Sequence, residues 1–131
     1  MGKSREVLQA LRDDIKNLVA KYSPEELEIF DEMFDNIINE ADRIYEEGEK
    51  ILDSENTLGF FGGGILTLAI SIIVSEVVHL IVEHFVRESA KGIKKIVRRV
   101  LKKSPVGLSP GEIEEIADEL ANILARVKLS G

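Results

Sequence analysis

Cysteine is absent from this 131-residue chain. That excludes disulfides, thiol nucleophiles and Cys-ligated zinc or iron–sulfur centres. Tryptophan is absent, only 5% of residues are aromatic, and there are two histidines. Base-stacking platforms and histidine-rich metal sites therefore have little to be built from. The three prolines leave room for long helices. No basic-then-apolar leader opens the chain, because Met1 to Tyr22 is a charged amphipathic pattern. Synthesis in the cytoplasm without classical export is expected, with a cytoplasmic or membrane-associated location. Long hydrophobic runs are also lacking, with one exception.

That exception is Leu58 to Val82, LGFFGGGILTLAISIIVSEVVHLIV, which meets no charge until Glu76. The rest of the chain is amphipathic and charged. With 44% apolar and 31% charged residues, one globular, mostly helical domain is the expectation.

The net charge of −7 is unevenly spread. Residues 1–57 hold 16 acidic and 7 basic groups, residues 58–108 hold 3 and 8, and residues 109–131 hold 5 and 2. The first and last stretches are thus acidic and the middle one basic. Acidic and basic arms of one chain can pair within a molecule or between copies. The acidic total argues against nucleic acid as a partner.

Periodicity predicts an all-α chain resembling a four-helix bundle. Leu8, Leu11, Ile15, Leu18 and Tyr22 repeat at helical spacing, giving a first helix over Ser4–Tyr22. Ser23-Pro24-Glu25-Glu26 has the form of a capping box, Glu26 reaching back to the cap. It opens a second helix to about Asp53, seamed by Leu27, Phe30, Phe34, Ile37, Ala41, Ile44, Gly48 and Ile51. Residues 1–55 then form an acidic helical hairpin and 56–64 a glycine-rich loop. Residues 65–103 read as one long helix, apolar first and basic later, on the order of 58 Å if unbroken and with Gly92 as the expected bend. A second capping box, Ser109-Pro110-Gly111-Glu112, opens a C-terminal helix over 109–128.

Three groups of candidate site residues lie on or beside the apolar run. Phe60, Phe61, Ile65, Leu66, Leu68, Ile70, Ile72 and Ile73 are the expected membrane-inserting set. Thr67, Ser71, Ser75, His79 and Glu83 recur every fourth residue with Glu76 beside them, a polar stripe suited to a helix contact or a water-filled lumen. Arg87, Lys91, Lys94, Lys95, Arg98, Arg99, Lys102 and Lys103 form a basic face, suited to anionic headgroups or to the acidic second helix.

Glu76-Val-Val-His79 has the spacing of half a carboxylate-bridged di-iron site. The second half is missing, since three residues before the other histidine, His84, stands Ile81. No Ser-His-Asp set or phosphate-cradling loop is present. No catalytic, metal or cofactor site and no small-molecule substrate is assigned, and the chain is expected not to be an enzyme.

Two functions remain. In the first, the chain associates with anionic membranes, oligomerises, and inserts or forms pores through residues 65–82, with 87–103 at the surface. In the second, it is a soluble module that binds copies of itself or another protein through helical faces, with 65–82 as its core. On the first reading Ile70→Lys or Ile73→Lys is expected to abolish membrane binding while most of the other helices still form.

Overall fold

A computed structural model describes residues 2–53, 64–84, 89–104 and 107–127. Among them every regular element is a helix. The α-helices are α1 Gly2–Ala10, α2 Arg12–Tyr22, α3 Leu27–Asn39, α4 Ala41–Asp53, α5 Ile65–His84, α6 Ala90–Lys103 and α7 Pro110–Ala125, with a 3-10 turn at Pro24–Glu26. The all-α expectation holds, but among the described residues the four expected helices appear as seven shorter ones.

Two of the divisions are tightened turns inside a continuing helix. At Leu11 (φ −91°, ψ 0°) the amide divides its hydrogen bond between the Val7 and Leu8 carbonyls, 3.1 Å each, and Ile15 N–H then bonds the Leu11 carbonyl at 3.0 Å. At Glu40 (φ −105°, ψ 23°) the helix resumes through Ile44 N–H to the Glu40 carbonyl, 2.8 Å. Both turns keep the apolar seam inward: Leu8, Leu11, Ile15 and Leu18 on one side, and Ile37, Ala41 and Ile44 on the other, are buried.

The third division corrects the expected single helix over 65–103. Ser89 is extended (φ −71°, ψ 162°), and its hydroxyl accepts from Gly92 N–H at 3.1 Å. That is an N-cap, so a new helix starts here and Gly92 lies in its first turn rather than at a bend. The boundary falls where the sequence changes from apolar all round to amphipathic. Ser109 caps α7 as expected. Its hydroxyl accepts from Glu112 N–H (3.2 Å), and Glu112 Oε1 accepts from Ser109 N–H (3.0 Å).

α5 lies at the centre and touches each of the other six described helices. Leu66, Ala69, Ile70, Ile73, Val74, Val77 and Val78 are fully enclosed. α6 and α7 pack antiparallel, with Ile93, Val97, Val100 and Leu101 meeting Ile116, Ala117, Leu120 and Leu124 in the core. On α2 and α3 the long cations fold over aromatic rings. Arg12 lies 5.1 Å from the Phe34 ring centre and Lys16 5.9 Å from that of Phe30, and the two rings stack 5.3 Å apart. The same cations reach Asp31 and Asp35 on α3. α4 approaches α5 through Gly48, where a side chain would run into Ile72.

Candidate functional site

Ile65–Glu83, 19 residues, is long and apolar enough to cross a bilayer, and 72% of its apolar window is buried inside the protein. A helix buried on all sides cannot be amphipathic, and this one shows no preferred face in its sequence. Of the expected inserting residues, Leu66, Leu68, Ile70, Ile72 and Ile73 face the core and Ile65 is half-buried. Phe60 and Phe61 lie outside the described residues.

The polar stripe points inward at its start. Thr67, Ser71 and Ser75 are buried. Ser71 Oγ donates to the Thr67 carbonyl one turn back, 2.6 Å, so it asks nothing of a neighbouring helix. Ser75 Oγ is buried and has no partner among the described residues. Further along, the stripe divides. Both carboxylate oxygens of Glu76 lie 2.8 Å from Arg99 Nη2 on α6. The His79 ring stacks on Tyr45 of α4, with centres 3.6 Å apart and planes 15° apart. Glu76 and His79 thus turn to different helices, one to an ion pair and one to a ring stack. Glu83 is half-buried near the end of α5.

The most heavily bonded group at α5 is one the sequence pattern assigned elsewhere. Glu26 does not close a capping box on its own helix, because Ser23 makes no side-chain cap. Its carboxylate instead lies against the start of α5. Oε1 accepts from Thr67 N–H (2.9 Å) and Thr67 Oγ1 (2.8 Å), and Oε2 accepts from Leu66 N–H (3.1 Å). The Ser23 hydroxyl, between Glu25 and Glu26, adds a contact of 2.9 Å to Oε2. Glu26 is only 8% exposed. A carboxylate at a helix N-terminus is favoured by the unbonded N–H groups and the helix dipole together. The signal was present in the sequence: Gly62-Gly63-Gly64 precede Ile65 and offer no capping side chain, so the acceptor had to come from elsewhere.

The basic face divides too. Lys94 pairs with Asp118 (2.8 Å) and Arg98 with Glu114 (2.9 Å), both on α7. Neither reaches the acidic second helix; the matching i,i+4 spacing of Glu114 and Asp118 marks α7 as their partner. Arg99 holds Glu76, Lys103 has a contact within the protein, and Lys91, Lys95 and Lys102 are exposed on the outer side. Arg87 lies outside the described residues.

Among the grooves that indent the described surface, two are lined by charged side chains. One of about 400 Å³ runs between α2 and α7, where Lys21 pairs with Glu119 at 3.0 Å. The Tyr22 hydroxyl lies 2.9 Å from Glu115 and 3.2 Å from Glu119 at the same junction. Burial, with the Glu115 bond, pushes the Tyr22 phenol up to about 12. The other groove, about 390 Å³, lies between Tyr45, Glu46, Lys50, Ile72 and Glu76. Neither brings a nucleophile together with a base. Among the described residues no three potential ligands gather to hold a metal ion.

The chain matches no family, no curated protein and no solved structure.

Proposed function

We propose that this chain is a membrane-associated helical bundle that carries a span-length helix in its core and inserts it, assembling with other copies, when the bundle loosens at an anionic surface. The observation that carries this reading is α5, long and apolar enough to cross a bilayer and wrapped by helices that are each apolar on one side. The outward Lys91, Lys95 and Lys102 supply the attraction to anionic headgroups, about 1 kcal/mol each near the surface.

Magnitudes support a conditional insertion. Twelve Ile, Leu and Val residues lie between Ile65 and Val82. Each favours a bilayer by about 0.3–0.6 kcal/mol, roughly 4–7 together, whereas one charge near mid-span costs about 2.5–3.5. Glu76 and His79 therefore leave a preference of only a few kcal/mol. Such a helix stays in a packed core by default and leaves it when the core is weakened.

A second reading is a soluble interaction module with α5 as permanent core. The partners of Glu76 and His79 favour it, since each of the two is met by a side chain on another helix of the bundle.

Flotation of the purified chain with anionic and neutral vesicles, paired with dye release, separates the two. Flotation with anionic vesicles and leakage are expected, and Lys91→Glu/Lys95→Glu/Lys102→Glu should lose both while keeping its helical circular dichroism. A chain that ignores both vesicle types leaves the soluble module. Ile70→Lys does not serve as the probe that the sequence pattern offers. Ile70 is completely buried, so an uncompensated ammonium there costs more than about 4 kcal/mol and unfolds the bundle on either reading.

A further inference from the structure

Every helix must dispose of its first unbonded N–H groups. α6 and α7 do so with a serine of their own. α5 does not: Leu66 and Thr67 N–H are both taken by Glu26, 40 and 41 residues away in sequence. Neither amide has an acceptor inside its own helix, whereas Leu68 N–H already has one, the Gly64 carbonyl at 2.9 Å. The carboxylate is therefore what closes this end of α5.

The surroundings are shaped for that contact. A side-chain carbon at Gly64 would lie 3.0 Å from Glu26 Oε1 and would collide with Met33. The chain passes under the carboxylate with no room for a methyl group. Glu26 also stands at the junction of α2 and α3, where the Ser23 hydroxyl steadies it. One side chain thus ties the first hairpin to the start of the most apolar helix.

We infer that Glu26 is a latch: its carboxylate, bonded to Leu66 N–H, Thr67 N–H and Thr67 Oγ1, holds the N-terminal turn of α5 in the bundle, and neutralising it opens that turn while α6 and α7 stay folded. The latch rests on hydrogen bonding alone. Its consequence, easier release of α5 into a bilayer, rests on the function proposed above.

Hydrogen–deuterium exchange on the full chain, resolved by residue, tests the latch, and flotation with anionic vesicles tests its consequence. Glu26→Gln removes the charge and turns an NH2 toward donors. Exchange at Leu66 and Thr67 should rise about 10- to 100-fold, the range for bonds to a charged acceptor, with Leu120 and Leu124 on α7 unchanged. Thr67→Val keeps both amide bonds and loses only the hydroxyl bond, so the same two amides should accelerate up to about tenfold. If Glu26→Gln unfolds the whole chain, Thr67→Val decides: local acceleration supports the latch and none overturns it. Unchanged exchange at Leu66 and Thr67 in a folded Glu26→Gln also overturns it. Local opening with increased flotation supports latch and membrane function together. Local opening without flotation supports the latch and removes the membrane function.

Discussion

Replacing Gly48 with alanine sets two effects against each other. Gly48 lies inside α4, where glycine costs a helix about 0.8–1.0 kcal/mol relative to alanine. Local propensity alone therefore expects Gly48→Ala to stabilise the protein. The packing says otherwise. A methyl carbon at Gly48 would lie 2.9 Å from both Cγ1 and Cγ2 of Ile72, well inside the roughly 3.5–4.0 Å at which carbon atoms rest. Ile72 is nearly buried and β-branched on a helix, so one rotamer dominates and neither γ carbon swings clear. α4 and α5 would have to separate. Overpacking of this kind costs about 1–3 kcal/mol, which exceeds the propensity gain, and a net loss of up to about 2 kcal/mol is expected.

The partner substitution makes the reasoning refutable. Ile72→Ala alone should cost about 2–5 kcal/mol. Once both γ carbons are gone, adding Gly48→Ala should stabilise by up to about 1 kcal/mol. The same substitution therefore changes sign between the two backgrounds, a coupling of about 1–3 kcal/mol. Urea unfolding followed by circular dichroism measures all four proteins. A Gly48→Ala that stabilises the parent chain, or that destabilises both backgrounds equally, would show that α4 and α5 do not meet at this point.

Other substitutions test single contacts. Ser109→Ala removes half of a complete capping box and should cost about 1 kcal/mol in urea unfolding, whereas Ser23→Ala acts through the Glu26 carboxylate instead of a cap. Arg99→Ala should cost less than about 1 kcal/mol, because the Arg99 and Glu76 side chains are 43% and 30% exposed, and the loss should shrink as salt is added. The raised Tyr22 phenol has a definite sign. Ionisation comes first in the unfolded chain, so its contribution to stability is complete below pH 10 and is lost as pH rises from there toward about 12. Ultraviolet titration of Tyr45→Phe should place the one remaining phenol above its ordinary value, and a normal titration would show that the α2–α7 junction is open.

The fold was legible wherever a local rule and the tertiary structure agree. The Ser109 box, the seams of Leu8 to Leu18 and Phe30 to Ile44, and the amphipathic stripe of Ile93 to Leu101 all form as the spacing requires. The breaks at Leu11 and Glu40 were not legible, since no proline or glycine marks them and each is a tightened turn that leaves the seam intact. Ser89 is legible as a serine before a change of helix character, a cap signal, although Gly92 three residues on is the weaker helix former and so the more conspicuous break. Glu26 shows the limit of a local motif. Ser-Pro-Glu-Glu satisfies the pattern of a capping box, yet the carboxylate is engaged at α5, where it accepts from two buried amides that have no acceptor inside their own helix.

The same distinction bears on the site. An apolar helix enclosed by protein and one enclosed by lipid have the same sequence pattern, apolar all round, so periodicity cannot separate them. Their polar residues can, because lipid offers no partner and a folded chain does. On α5, Ser71 bonds within its own helix, a contact that would survive transfer to a bilayer. Glu76, His79 and the Leu66 and Thr67 amides depend on Arg99, Tyr45 and Glu26, which lie on other elements. Moving α5 into lipid alone would break all three connections. Release therefore requires that they loosen together or that neighbouring copies replace them. Glu26 is the connection whose loss opens the helix at the end where no charged side chain follows for two full turns. If the three respond independently, Glu26→Gln and Arg99→Ala should add in their effect on anionic-vesicle flotation; a combined effect well beyond that sum would show that α5 leaves the bundle as one unit.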